Sequence, residues 1–330
     1  MRRGSFEGER TASGGFSVKA FEVLNPGILT TIQDLGRPGF MKYGIPASGV
    51  ADSFSAGIAN LLVGNSSGAA VLETTLFRLE LLALEDLFIA VTGGDLSPRL
   101  NKNPLPMWQA VSIQRGDRIS FRARKLGFRA FLAVRGGFDG PKFLNSRSVF
   151  ARGLMGNPLK AGETLETEGD GLRLPCLKPL PADLIPVLSA KKPLRVLLGP
   201  QEERFTSQGL EAFLSSEYTV SSQSDRMGYR LEGPKVEHVK GADIISESIA
   251  RGAIQVPGDR MPIIMLWDAQ VSGGYTKIAN IISADLDILA QVMPGESLHF
   301  KSVTLGEAHR ALREERALLE KAQRAMEGRG

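Results

Sequence analysis

The stretch PCLKPLPADLIPVLSAKKP, residues 175–193, places five prolines in 19 residues near the middle of the chain. Proline fixes φ and lacks an amide hydrogen, so such a stretch neither continues a helix nor takes a central place in a sheet. It reads as an extended linker. It divides 330 residues into two parts, each long enough to bury its own core. The expected organisation is a flexible N-terminus over 1–17, rich in Gly, Ser, Glu and Arg, and a first domain over 18–174. The linker at 175–193, a second domain over 194–303 and a charged helical tail over 304–330 follow.

Both parts read mainly as strands and turns. LFIAVTGGDL (87–96) and FRAFLAVRGGF (128–138) are apolar runs that end in glycine turns. VSIQRGDRISF (111–121) alternates apolar residues and suggests a hairpin with Gly116-Asp117 at its tip. PLRVLLGP (193–200), AIQVP (253–257), PIIMLW (262–267), KIANII (277–282) and SLHFKSV (297–303) supply strands to the second part. Helices are fewer, at 48–63, 202–216, 283–293 with Ser283 as cap, and 306–326. Strands and helices do not alternate, so antiparallel barrels fit better than a doubly wound sheet. IQRGDRISF (113–121) matches VMPGESLHF (292–300), and KAGETLET (160–167) is a partial third copy. Gly followed by an acid makes good turns, and the longer match hints at two related barrels.

Composition excludes several classes. The net charge is only +4 and much of the excess sits at the two ends, which speaks against a nucleic-acid stripe. No apolar run is long enough to cross a bilayer, and no signal-peptide pattern opens the chain. Cys176 is the one cysteine, which suits a reducing, cytoplasmic setting. His238, His299 and His309 have no ligand spacing, so no metal site is expected. No Walker loop, G-x-G-x-x-G, G-x-S-x-G or H-E-x-x-H is present.

Four polar, glycine-marked segments remain as candidates for chemistry. In TTIQDLGRPGFMKYGIPASGVAD (30–52), Asp34 and Arg37 line either a ligand cleft or an ordinary loop. Asp52 serves either that cleft or the first turn of the following helix. In AVLETTLF (70–77), Glu73 is either a buried acid with a raised pKa or an exposed strand end. QSDRMGYRLEG (223–233) sets Asp225 and Arg226 beside Gly228, as a turn or as one wall of a site. The segments 243–259 and 267–280 bring Glu247, Gln255, Gln270, Tyr275 and Lys277 close to glycines and strand ends. Lys277 can act as a point charge for an anion, and Gly273-Gly274 as an amide nest.

PGILTTIQDLGRPGF, PASGVADSFSAGIANLLVGN, VTGGDL, FLAVRGGFD, LNSRS, LLGPQEERF, QSDRMGYRLEG, GAIQVPGD, GGYTKIA and ISADLDILAQVMPGE occur in this order over roughly 18–303. In them the chain resembles the family called allophanate hydrolase subunit 2, or biotin-dependent carboxyltransferase. That family includes the C subunit of bacterial 5-oxoprolinase and an antagonist of a sporulation-kinase inhibitor. The resemblance implies two cyclophilin-like β-barrel domains with a few short helices. It implies a protein that works with the A and B subunits of 5-oxoprolinase to open 5-oxoproline to glutamate at the expense of ATP, with the ATP site unassigned. The alternatives are biotin-dependent carboxyl transfer to a urea-like amide, and a regulatory protein without chemistry. It further implies a cleft lined by Asp34, Arg37, Asp52, Glu73, Asp225, Arg226, Gln255, Tyr275 and Lys277. Arg226 and Lys277 would hold a carboxylate or phosphorylated oxygen, and Asp225 would orient Arg226 or relay a proton. The family commonly reads Q-T-T-G-G-Y-P-K where this chain has QVSGGYTK (270–277), and Ser-Glu-Gly where it has Ser246-Glu247-Ser248.

Overall fold

In a computed structural model, residues 9–10, 16–168, 178–188 and 192–326 are described. The expectation of flexibility for residues 1–8 and 11–15, and the single thiol of Cys176, lie outside the described residues. The chain is mostly β, as its strand patterns predict. It forms two units: Met1–Leu35, Ser53–Ile185 and Ala322–Gly330 make the first, Gly36–Asp52 and Pro186–Lys321 the second. The domain expected over 18–174 therefore gives up Gly36–Asp52 to the second unit. The reason is local: the Ser48 amide donates to the Trp267 carbonyl, and the Gly49 carbonyl accepts from Arg226. The helix expected from residue 48 accordingly starts only at α1, Ser53–Leu62, because Ser48 and Gly49 hold left-handed φ of 54° and 95°.

Unit 1 contains a seven-stranded and a five-stranded sheet. The five-stranded sheet runs Leu29–Gln33, Val71–Thr75, Leu126–Val134, Leu87–Asp95, Ala110–Ile113, all antiparallel. Phe21, Leu72, Leu81, Val91, Phe121 and Leu132 belong to the core of this unit. The expected hairpin at 111–121 does not form. Ala110–Ile113 pairs with Leu87–Asp95, while Arg118–Phe121 pairs with Leu79–Ala83 in the other sheet. The Gly116-Asp117 turn thus carries the chain from one sheet to the next.

Unit 2 is built on an eight-stranded sheet whose path begins at Ser297–Leu298 and ends at Phe300–Ser302. Only His299 separates the two edge strands in sequence, so the sheet curls until its ends nearly meet, which gives a barrel. Val196, Tyr229, Ile254, Ile264, Ile278 and Phe300 fill it. A two-stranded ribbon, Asp243–Ser248 with Ser272–Tyr275, stands apart from this sheet. Its Ile245 is 93% exposed. Helix α2 (Ser207–Ser215) is capped by Thr206, whose hydroxyl accepts from the Gly209 amide. The helix expected over 283–293 contracts to a 3-10 turn and α3 (Leu286–Ala290), without a Ser283 cap. Helix α4 spans Leu305–Met326, and Thr304 and Glu307 form its capping box. It is the helix expected over 306–326.

The recurring Gly-acid pattern is one turn used three times. Gly116, Gly162 and Gly295 have φ of 91°, 81° and 90°. The acid that follows each one accepts from the amide three residues before it: Asp117 from Gln114 at 2.8 Å, Glu163 from Lys160 at 3.0 Å, Glu296 from Met293 at 2.9 Å. Each glycine amide also donates to a carbonyl of another segment, those of Ala83, Val23 and Val220. The left-handed φ explains the glycine, and the capped amide explains the acid.

Candidate functional site

The densest group of predicted residues lies in unit 2. Gln255 ends the strand Ala253–Gln255, and Lys277 opens the strand Lys277–Ile281. The two residues are direct partners across the antiparallel pair, so their side chains share one face. Lys277 and Gln255 are 4% and 2% exposed. The ribbon passes over them. A Cβ on Gly273 would stand 3.0 Å from Gln255 Nε2 and 2.8 Å from Ile249 Cδ1, so only glycine lets the ribbon come this close. Glu247, on the ribbon, accepts from Lys277 Nζ, and Gln201 Nε2 donates to the same carboxylate oxygen at 2.6 Å. Gln201 Oε1 accepts from the Lys277 amide at 3.0 Å, which ties both partners into one network. The hydrogen bonds from Lys277 and Gln201 hold the Glu247 carboxyl below its ordinary range. Gln255 Nε2, fully buried, has no hydrogen-bond partner among the described residues.

Chemically this is a pair of donors, a cation and an amide, on a rigid sheet face. Their carboxylate cover sits on a solvent-facing strand, and the Glu247 side chain is 44% exposed. An acceptor that develops negative charge beside Lys277 and Gln255 can replace Glu247. Tyr275, on the ribbon, is 42% exposed. Thr276 occupies the position where the family usually has proline. Its amide donates to the Ala242 carbonyl, and its hydroxyl bonds His238 Nε2 at 3.0 Å. Burial, with Arg260 nearby, pushes the His238 pKa down.

Arg226 is buried in a second cluster of the same unit. Its Nε donates to Asp268 Oδ2 at 2.9 Å and its Nη2 to the Gly49 carbonyl at 2.7 Å. The carboxylate that orients Arg226 is thus Asp268. Asp225 is exposed and accepts from the Met227 amide, a turn role. Gly228 has no left-handed φ; a Cβ there would lie 3.1 Å from the Ile264 carbonyl oxygen, so it serves strand approach. Arg251 donates to the Ser48 carbonyl and lies 5.7 Å from the Trp267 ring centre. Burial, then the charge of Arg226, lowers its pKa to about 10. Asp52 is buried and accepts from Gln291 at 2.8 Å. Arg37 is fully buried, and its amide donates to the Ala47 carbonyl.

Asp34 and Glu73 belong to unit 1. Asp34 accepts from the Ser146 and Ser148 hydroxyls at 2.6 Å each and from the Arg147 amide at 2.7 Å, so it pins the segment 146–148. Glu73 is buried within the five-stranded sheet, 3.5 Å from Arg129 Nε. Sequence reasoning did not single out Gln201, Arg251, Asp268, Gln291 or Arg147. Gln201 and Arg147 stand inside the quoted runs LLGPQEERF and LNSRS, and Asp268 follows a buried Trp267; those placements were the available signals. Among the described residues no group of three or more His, Cys, Asp or Glu side chains could hold a metal ion, and no helix is long and apolar enough to cross a membrane.

A family model described as "Carboxyltransferase domain, subdomain A and B" matches residues 43–302. The C subunit of the Escherichia coli 5-oxoprolinase is 35% identical over 91% of this chain and 96% of its own length. That of Haemophilus influenzae is 33% identical over 93% and 98%. The urea amidolyase of Lachancea kluyveri is 36% identical over 86% of this chain, which spans only 17% of it. The solved urea amidolyase of K. lactis matches with a TM-score of 0.87 at 33% identity, covering 93% of this chain and 20% of that one.

Proposed function

The chain belongs to the carboxyltransferase-domain subdomain A and B family, and on that premise we propose that it is the C subunit of an ATP-dependent 5-oxoprolinase. One observation carries this reading. The match to two proteins that bear the name of that 5-oxoprolinase component runs over almost the whole of both partners' length. In this reading the chain works with the A and B subunits and is inactive alone. The substrate is 5-oxo-L-proline, a lactam with a carboxylate.

Lys277 and Gln255 are the donors best placed to receive the lactam carbonyl oxygen as it gains charge. Both are buried on the sheet face, the Gln255 amide nitrogen has no partner among the described residues, and only the exposed Glu247 carboxylate must give way. Glu247 keeps Lys277 oriented until the substrate arrives. Arg226, held by Asp268 and the Gly49 carbonyl, shapes the 47–50 loop. ATP supplies phosphoryl transfer to the complex. This chain has no glycine-rich phosphate loop, so we assign ATP to none of its residues and derive no step through it.

A second reading, biotin-dependent carboxyl transfer to a urea-like amide, is favoured by the similarity to urea amidolyase. Reconstitution with the A and B subunits separates the two. ATP-dependent release of glutamate supports the first reading, and its absence from the assembled complex refutes it. Lys277→Met in the assembled complex should lower kcat by about 10²–10³-fold, the usual cost of losing one oxyanion donor. Full activity in that variant removes Lys277 from the chemistry.

A further inference from the structure

A cavity of about 430 Å³ opens in unit 1, within the size range of small-molecule sites. None of the expected site residues lines it. Its walls include the apolar Phe143, Pro158 and Leu159 and the polar Arg147, Asn157 and Lys160. Arg147 is rigid. Asp34 holds its backbone, and Asp139 and Glu168 hold its Nε and Nη2. Lys160 is rigid at the backbone, because it opens the Gly162-Glu163 turn described above.

The carboxylates at and beside this cavity each take at least one donor. Asp139 Oδ1 takes three donors, two from Arg147 and the Gly140 amide. Glu168 takes Arg147, and Glu163 takes the amide of Lys160. Burial works against the Asp139 charge, yet the bonds from Arg147 and Gly140 keep its carboxyl below the ordinary range, so it does not act as a donor. The donors are not all engaged. Arg147 Nη1, Lys160 Nζ and Asn157 Nδ2 have no protein partner among the described residues. A site with spare N–H groups beside an apolar wall suits a ligand that brings acceptors and a compact apolar body.

We propose that this cavity binds a small organic carboxylate, its apolar body against Phe143, Pro158 and Leu159 and its carboxylate between Arg147 and Lys160. The site is independent of the Lys277 cluster and of the reaction assigned to it. Asp34 is then a positioning residue for Arg147.

The test uses the full chain and two probes of one shape, cyclopentanecarboxylate and its neutral carboxamide, titrated by NMR. The carboxylate should bind with a Kd of about 1 mM, as befits so small a ligand, and the carboxamide about tenfold more weakly. Lys160→Gln should weaken the carboxylate about tenfold and leave the carboxamide unchanged, while Lys125→Gln, outside the cavity, should change neither. Arg147→Lys should weaken the carboxylate as well, because lysine cannot present the same fork. Lys160 is exposed, so its variant stays informative if Arg147→Lys unfolds. Equal binding of the two probes, carboxylate affinity unmoved in Lys160→Gln, or no binding at about 10 mM, overturns the proposal.

Discussion

Asp268→Asn isolates what holds the Arg226 cluster together. The two side chains of this ion pair are only 9% and 11% exposed. The substitution keeps volume but removes the charge that accepts from Arg226 at 2.9 Å. It also leaves two buried guanidinium groups, Arg226 and Arg251, close enough that the first depresses the pKa of the second. A lost charge-assisted hydrogen bond costs about 1.5–3 kcal/mol, and breaking a buried pair about 3–5. Asparagine can still accept one bond, so we take about 3 kcal/mol. With a urea slope of about 2 kcal/mol/M, the unfolding midpoint of unit 2 moves down by about 1.5 M. Trp267 reports it, being buried next to Asp268, and Trp108→Phe removes the other tryptophan signal. The double variant Arg226→Met, Asp268→Leu should recover much of the loss, since an apolar pair leaves no orphaned charge. A midpoint shift under about 0.25 M for Asp268→Asn, at unchanged slope, refutes the argument that this pair is structural.

Gly273→Ala puts a methyl 3.0 Å from Gln255 Nε2 and 2.8 Å from Ile249 Cδ1. It should lift the ribbon and depress activity of the reconstituted complex, whereas Gly258→Ala, with nothing within 4 Å, should leave it unchanged. Equal effects of the two alanines would remove the close approach from the mechanism. Glu315, on α4, is pushed up to about 7 by burial and by Asp287 and Asp285, against the opposing charges of Arg316 and Arg195. The folded chain retains a proton that the unfolded chain loses, so Glu315 weakens the fold progressively as pH rises from its ordinary pKa toward 7. Glu315→Gln should therefore raise Tm at pH 8 and leave it unchanged at pH 4, by less than full linkage because the group is partly hydrated. The same Tm difference at both pH values contradicts this sign.

What the sequence could show followed the range of the interaction. The Gly-acid turn is visible in the sequence because the bond from the acid to the amide three residues before it, and the left-handed glycine between them, lie within four residues. The pairing of strands at its ends is another matter. Ile113 and Arg118 flank one turn but join different sheets, since the partners that claim them, Leu87 and Leu82, lie far away in the chain. The site follows the same division. Lys277, Gln255 and Glu247 were legible, because polar residues in glycine-rich strand ends stand out from apolar runs. Their grouping was not, since it depends on a cross-strand register and on Gly273. Asp225 drew attention beside Arg226 by adjacency alone. Asp225 is spent on the Met227 amide of its own turn, so the partner of the buried arginine comes from another segment. Asp268, 42 positions away, meets that requirement, and Arg251 joins the cluster through the Ser48 carbonyl. The same reasoning explains Asp34. Its hydrogen bonds reach Ser146, Arg147 and Ser148, more than a hundred residues on, and its significance is that of the segment it fixes. An acid in a polar loop is therefore best weighed by the long-range donors it collects, and by that measure Asp34 leads to Arg147 and to the cavity beside it.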